Sequence, residues 1–109
     1  MKGKTIEEIE VGDKESFTKT ISEKDVNLFA EITGDYNPVH MKETYANKTF
    51  FKARIVHGML SASLISTVIG NKLPGLGTIY TKQEVKFVSP VLIGDTITAQ
   101  VKVLKIMSD

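Results

Sequence analysis

The sequence has no cysteine and no tryptophan, three prolines, two histidines (His40 and His57) and a single arginine, Arg54. Without cysteine there can be no disulfide, no thiolate metal site and no cysteine nucleophile. Charge of one sign is also missing: 14 basic residues meet 13 acidic ones for a net charge of +1, and the lysines are scattered along all 109 residues. That distribution builds no basic stripe, so nucleic acid is not the expected partner. Long hydrophobic runs are absent as well. The richest stretch, Gly58 to Leu73, is interrupted by Ser61, Ser63, Ser66, Thr67 and Asn71, which falls short of the ~20 apolar residues that a membrane span requires. The start, Met1 to Glu8, has basic residues but neither an apolar stretch nor a small-residue cleavage site, so the expected compartment is the cytoplasm.

What remains is 41% hydrophobic and 25% charged, the composition of one globular domain large enough to build a core without covalent staples. Two Gly-Asp turns, Val11-Gly12-Asp13 and Ile93-Gly94-Asp95, bracket the chain, and each precedes a run with strand-like alternation. Ser22 followed by Asp25 resembles a capping box, and Val26, Phe29, Ala30 and Thr33 recur at helical spacing, which predicts an amphipathic helix over 23 to 33 ended by Gly34. A long connection over 34 to 57 carries one helical turn near Glu43 to Ala46. From Gly58 to Asn71, apolar residues face almost every direction around a helix, predicting one enclosed on most sides. Ile79, Thr81, Val85 and Phe87 alternate with charged residues, and Ile97, Ala99, Val101 and Val103 alternate after the second turn, predicting two strands. The fold class is α+β, an antiparallel sheet wrapped around one buried helix.

Two segments carry chemistry. In Gly34-Asp35-Tyr36-Asn37-Pro38-Val39-His40, an Asn-Pro turn brings a carboxylate and an imidazole close enough to share one water, an arrangement suited to general acid–base work. Spacing alone equally allows Asp35 to cap the turn and His40 to be a partly buried polar residue. In Ile55-Val56-His57-Gly58-Met59, a glycine opens the apolar helix, where free backbone N–H groups and the helix dipole can receive a developing oxyanion. The plainer alternative is that Gly58 serves backbone freedom or close approach. His57 reads as a residue that fixes the loop.

These segments, with Leu73-Pro74-Gly75 and Val91-Leu92-Ile93-Gly94-Asp95, resemble the MaoC-like (R)-specific enoyl-CoA hydratases along nearly the whole chain. The resemblance implies a hot-dog fold, an antiparallel sheet wrapped around the central helix, and a homodimer or higher homo-oligomer. It implies that Asp35 and His40 hold a water over the double bond of a trans-2-enoyl-CoA, and that the Gly58 N–H polarises the thioester carbonyl. It also implies that Asn37 shapes the loop and that Ser66 and Ile69 face the acyl pocket, although both read equally as core packing. No cofactor is expected, the CoA thioester being the substrate. No metal is expected either, since two histidines around one aspartate at these spacings make a poor ligand set.

Family members continue with a final strand pair, whereas this sequence stops at Asp109. The expectation is one MaoC-like hot-dog domain over 1–109, cut short at its C-terminal end. Two other readings accompany hydration. Hot-dog folds also host thioesterases, which the Asp35/His40 spacing disfavours, and a non-catalytic acyl-CoA-binding or assembly module would suit the early stop.

Overall fold

A computed structural model describes residues 3–107. Two turns of the same build lead into its sheet. Gly12 and Gly94 have φ of 97° and 98°, a region closed to most side chains. The aspartate after each glycine closes the turn. Asp13 Oδ2 accepts from the Glu10 N–H at 2.9 Å while the Asp13 N–H donates to the Glu10 carbonyl at 3.1 Å, and Asp95 repeats this toward Leu92 at 2.9 and 3.0 Å. The turns deliver β1 (Lys14–Thr20) and β2 (Thr96–Lys102), which pair antiparallel. The hydroxyls of Thr18 and Thr98 meet at 2.8 Å and those of Thr20 and Thr96 at 2.6 Å, cross-strand pairs that pin the register. Along β2, Ile97, Ala99 and Val101 face inward and alternate with exposed polar residues, as expected.

α1 (Glu23–Thr33) begins and ends as its sequence predicts. Ser22 Oγ accepts from the Asp25 N–H at 3.1 Å, Asp25 Oδ2 accepts from the Ser22 N–H at 2.9 Å, and Gly34 closes the helix in the left-handed region at φ 79°. α3 (Glu43–Ala46) is the expected single turn. Before it lies α2 (Pro38–Met41), a four-residue helix missed by reading Asn-Pro as a turn only; Asn37 caps it and proline occupies its first turn, where a missing N–H does no harm. α4 spans Gly58–Asn71, the predicted bounds.

The described residues gather into two compact units. One comprises residues 3–18, 62–84 and 98–107 and buries Ala62, Leu64 and Val68 of α4 together with Leu73 and Ala99. The other comprises Lys19–Ser61 and Val85–Ile97 and buries Ile21, Val26, Ala30, Ala46, Val56 and His57.

Two expectations need correction. Residues 79–87 alternate as predicted yet form no strand: Ile79 is 83% exposed and Phe87 58%, and no ladder hydrogen bond reaches this run among the described residues. Alternation marks a chain suited to a sheet, but a strand exists only where a partner accepts its N–H groups. α4 is likewise less enclosed than predicted, with Met59, Ser63 and Ser66 exposed and Ile65 and Ile69 half-buried. No helix among the described residues is long and apolar enough to cross a membrane.

Candidate active site

The site grows out of the end of α1. Gly34 turns the chain, its N–H donating to the Ala30 carbonyl at 2.8 Å, and so releases Asp35 from the helix. Two successive side-chain turns then shape the loop. Asp35 Oδ1 accepts from the Asn37 N–H at 3.3 Å, and Asn37 Oδ1 accepts from the Val39 N–H at 3.2 Å. Asp35 thus does cap its turn, while its side chain stays exposed and its second oxygen has no such duty. α2 follows at once and presents His40.

The two histidines have fixed tautomers. His40 Nδ1 lies 2.7 Å from the Ile55 carbonyl, which can only accept, so Nδ1 carries the proton and Nε2 keeps a lone pair. His57, only 2% exposed, donates from Nε2 to the Asp35 carbonyl at 2.9 Å, and its Nδ1 is buried with no partner. The His57 ring is held between two others: Phe29 of α1 tilts against it at 4.9 Å, and His40 stacks on it at 4.0 Å and 30°. His57 is thus bonded to the backbone of Asp35 and stacked on the ring of His40.

The carboxylate of Asp35 and one nitrogen of each histidine lie within 4.8 Å of one another. Atoms at that separation can both reach one water at ~2.8 Å from each. They are also the residues that could hold a metal ion, but ring lone pairs lie in the ring plane, and two stacked rings aim theirs side by side instead of at one point. The arrangement suits a shared water better than an ion.

Asp35, His40 and Gly58 line one open cavity of about 490 Å³, with Phe51, Met59 and Phe87 among its apolar walls. Gly58 opens α4. The Leu60 and Ser61 N–H groups donate to the His57 carbonyl at 3.0 and 3.2 Å, whereas those of Gly58 and Met59 find no acceptor among the described residues. A Cβ at Gly58 would sit 2.8 Å from the Phe87 ring, so close approach also explains the glycine. Asp35, Asn37, His40, His57 and Gly58 are therefore brought together. Ser66 and Ile69 are not among the residues lining this cavity.

Sequence reasoning noticed Arg54 only as the lone arginine. Its Nε donates to the His40 carbonyl at 2.6 Å, and its two terminal nitrogens donate to Glu23 Oε1 at 2.9 Å and Asn27 Oδ1 at 3.1 Å. Its place between the two histidine-bearing segments was the available signal.

The solved structure of the unliganded R-hydratase PhaJ1 from Pseudomonas aeruginosa superposes on the chain with a TM-score of 0.91 at 47% identity, covering 96% of this chain and 68% of that one. The (R)-specific enoyl-CoA hydratase of Rhodospirillum rubrum is 56% identical over 97 residues, which are 89% of this chain and 67% of that protein. The 3-hydroxybutyryl-CoA dehydratase of Methylorubrum extorquens is 47% identical over 103 residues, 94% of this chain and 66% of that protein. With a carboxylate and an imidazole meeting beside the start of an apolar helix, these likenesses define an enzyme domain of the hydro-lyase class with the hot-dog fold. The sequence profile of the MaoC like domain matches residues 7–109, and the chain belongs to that family. It spans about two thirds of the length of the relatives it matches.

Proposed function

We propose that the protein adds water to a trans-2-enoyl-CoA to give the (R)-3-hydroxyacyl-CoA, or catalyses the reverse dehydration. The observation that carries this reading is the bond from His40 Nδ1 to the Ile55 carbonyl, which leaves Nε2 to act as the base, on a ring that has one nitrogen within 4.8 Å of the Asp35 carboxylate. Asp35 and His40 hold one water. Nε2 takes a proton from it as the hydroxyl adds to C3, and the same proton returns to C2 on the same face, so one molecule of water is added in all. Conjugate addition moves negative charge onto the thioester oxygen, and the free Gly58 N–H at the start of a 14-residue helix receives it. Asn37 shapes the loop, and Ser66 and Ile69 of α4 face the acyl chain in this reading. The thioester is substrate and the proton is carried by a side chain, so the reaction as proposed calls for no resident cofactor. The working form proposed is a cytoplasmic homodimer or higher homo-oligomer.

Crotonyl-CoA tests the proposal. Loss of the conjugated enoyl absorbance without release of thiol, together with (R) product on chiral analysis, is the expected result. Free CoA would mean thioester hydrolysis, and binding without turnover would mean an acyl-CoA-binding module.

A further inference from the structure

His40 is held at two points, and its neighbour Val39 at a third, by two adjacent residues. The Ile55 carbonyl accepts from its Nδ1, the Ile55 N–H donates to the neighbouring Val39 carbonyl at 3.2 Å, and Arg54 Nε donates to the His40 carbonyl at 2.6 Å. Arg54 is in turn anchored on α1, by Glu23 and Asn27, which lie one helical turn apart on one face. α1 also carries Asp35, one residue beyond its C-terminal glycine. One rigid helix therefore sets the position of the carboxylate directly and that of the imidazole through a guanidinium.

We propose that Arg54 is a positioning residue that fixes the distance between Asp35 and His40 by clamping the His40 backbone to α1; this rests on the hydratase reading of the same site. The planar guanidinium suits the task because it reaches three acceptors in fixed directions, which an ammonium cannot do. A role in stability alone fits less well. Glu23 is 67% exposed, and an ion pair so open to water contributes little. The His40 carbonyl bond, by contrast, comes from an arginine side chain only 13% exposed.

The test compares steady-state hydration of crotonyl-CoA by Arg54→Ala, Arg54→Lys, Glu23→Gln and Asn27→Ala. The expected loss for Arg54→Ala is ~10- to 100-fold in kcat with KM changed by less than about threefold, since displacing a catalytic group mostly affects the reacting geometry. Arg54→Lys recovers only part of it, and the two α1 variants, which keep the arginine, lose about two- to fivefold. In a His40→Gln background, Arg54→Ala adds almost nothing. A folded Arg54→Ala with kcat within about threefold of wild type overturns the proposal, as does an equal loss with His40 already removed. If Arg54→Ala does not fold, unchanged kcat in both α1 variants overturns it. An independent readout is the ¹⁵N spectrum of the His40 ring, expected to show one Nδ1–H tautomer in the wild type and a mixture in Arg54→Ala. An unchanged ring spectrum refutes the clamp even if the wild type fails to hydrate crotonyl-CoA, a failure that would by itself refute only the hydratase reading.

Discussion

His40 can act as a base through one nitrogen only, because the other is committed to the Ile55 carbonyl. Replacing it by glutamine removes the lone pair, and Asp35→Asn removes the carboxylate proposed to orient the water. Each change is expected to lower hydration by ~10²-fold or more, the scale of a lost proton-transfer partner. If both act on one water, as proposed, the double variant should be little worse than either single one. Near wild-type turnover in both singles would refute the pair. His57 has a different task. Buried against Phe29 and His40, it is bonded through Nε2 to the Asp35 backbone, and its Nδ1 is buried with no partner. His57→Gln should therefore lower thermal stability and reduce turnover by less than about tenfold. A loss as large as that of His40→Gln, in a folded protein, would move the proton chemistry to His57.

At the scale of elements, local chemistry made most of the fold legible. The Ser22–Asp25 box, the glycine at position 34 and the paired Gly-Asp turns each satisfy backbone groups within a few residues, so the sequence alone places α1 and the starts of β1 and β2. α4 was legible from its density of apolar residues. What depended on distant partners was not: residues 79–87 have the pattern of a strand and no ladder, and the stacking of His40 on His57 joins residues 17 positions apart through the path of the chain. The Asp25 carboxyl is held below its ordinary range, mainly by the Ser22 N–H, with further help from the Ser22 hydroxyl and Lys19. A carboxyl lowered on folding stabilises above its unfolded value and loses that contribution as pH falls through the folded one. Ser22→Ala should thus cost ~1 kcal/mol near neutrality. Asp25→Asn should show a deficit at neutral pH that closes as pH falls below the usual aspartate range. A deficit independent of pH in chemical denaturation would sink the assignment. On α4, Ile69→Ala should shift preference toward longer enoyl chains if the substrate follows the helix, with a stability loss at or below the low end of ~2 to 5 kcal/mol because the residue is only half-buried. An unchanged chain-length profile would leave Ile69 to packing.

For the whole molecule, the described sheet has two strands, β1 and β2, and each pairs on one side only. An unpaired strand edge offers N–H and C=O groups to any chain of compatible register. Large apolar side chains are exposed nearby in sequence as well as at a distance: Ile79 is 83% exposed, Val88 and Leu104 78%, and Phe87 58%. Fully burying one such side chain stabilises an assembly by ~1.5–3 kcal/mol, so several together offset much of the entropy of association. The chain of 109 residues is therefore expected to self-associate at micromolar concentration, with backbone pairing setting the geometry and apolar burial the strength. The two contributions can be separated. Screening weakens exposed ion pairs but not apolar contacts, and sulfate strengthens the latter. Sedimentation in high chloride should leave the association intact, and sulfate should tighten it. Complete dissociation by chloride would point to charge instead of edge and apolar surface. A stable, well-folded monomer in all of these buffers would refute the expectation, and full hydratase activity from that monomer would show that Asp35, His40 and Gly58 need no second copy to work.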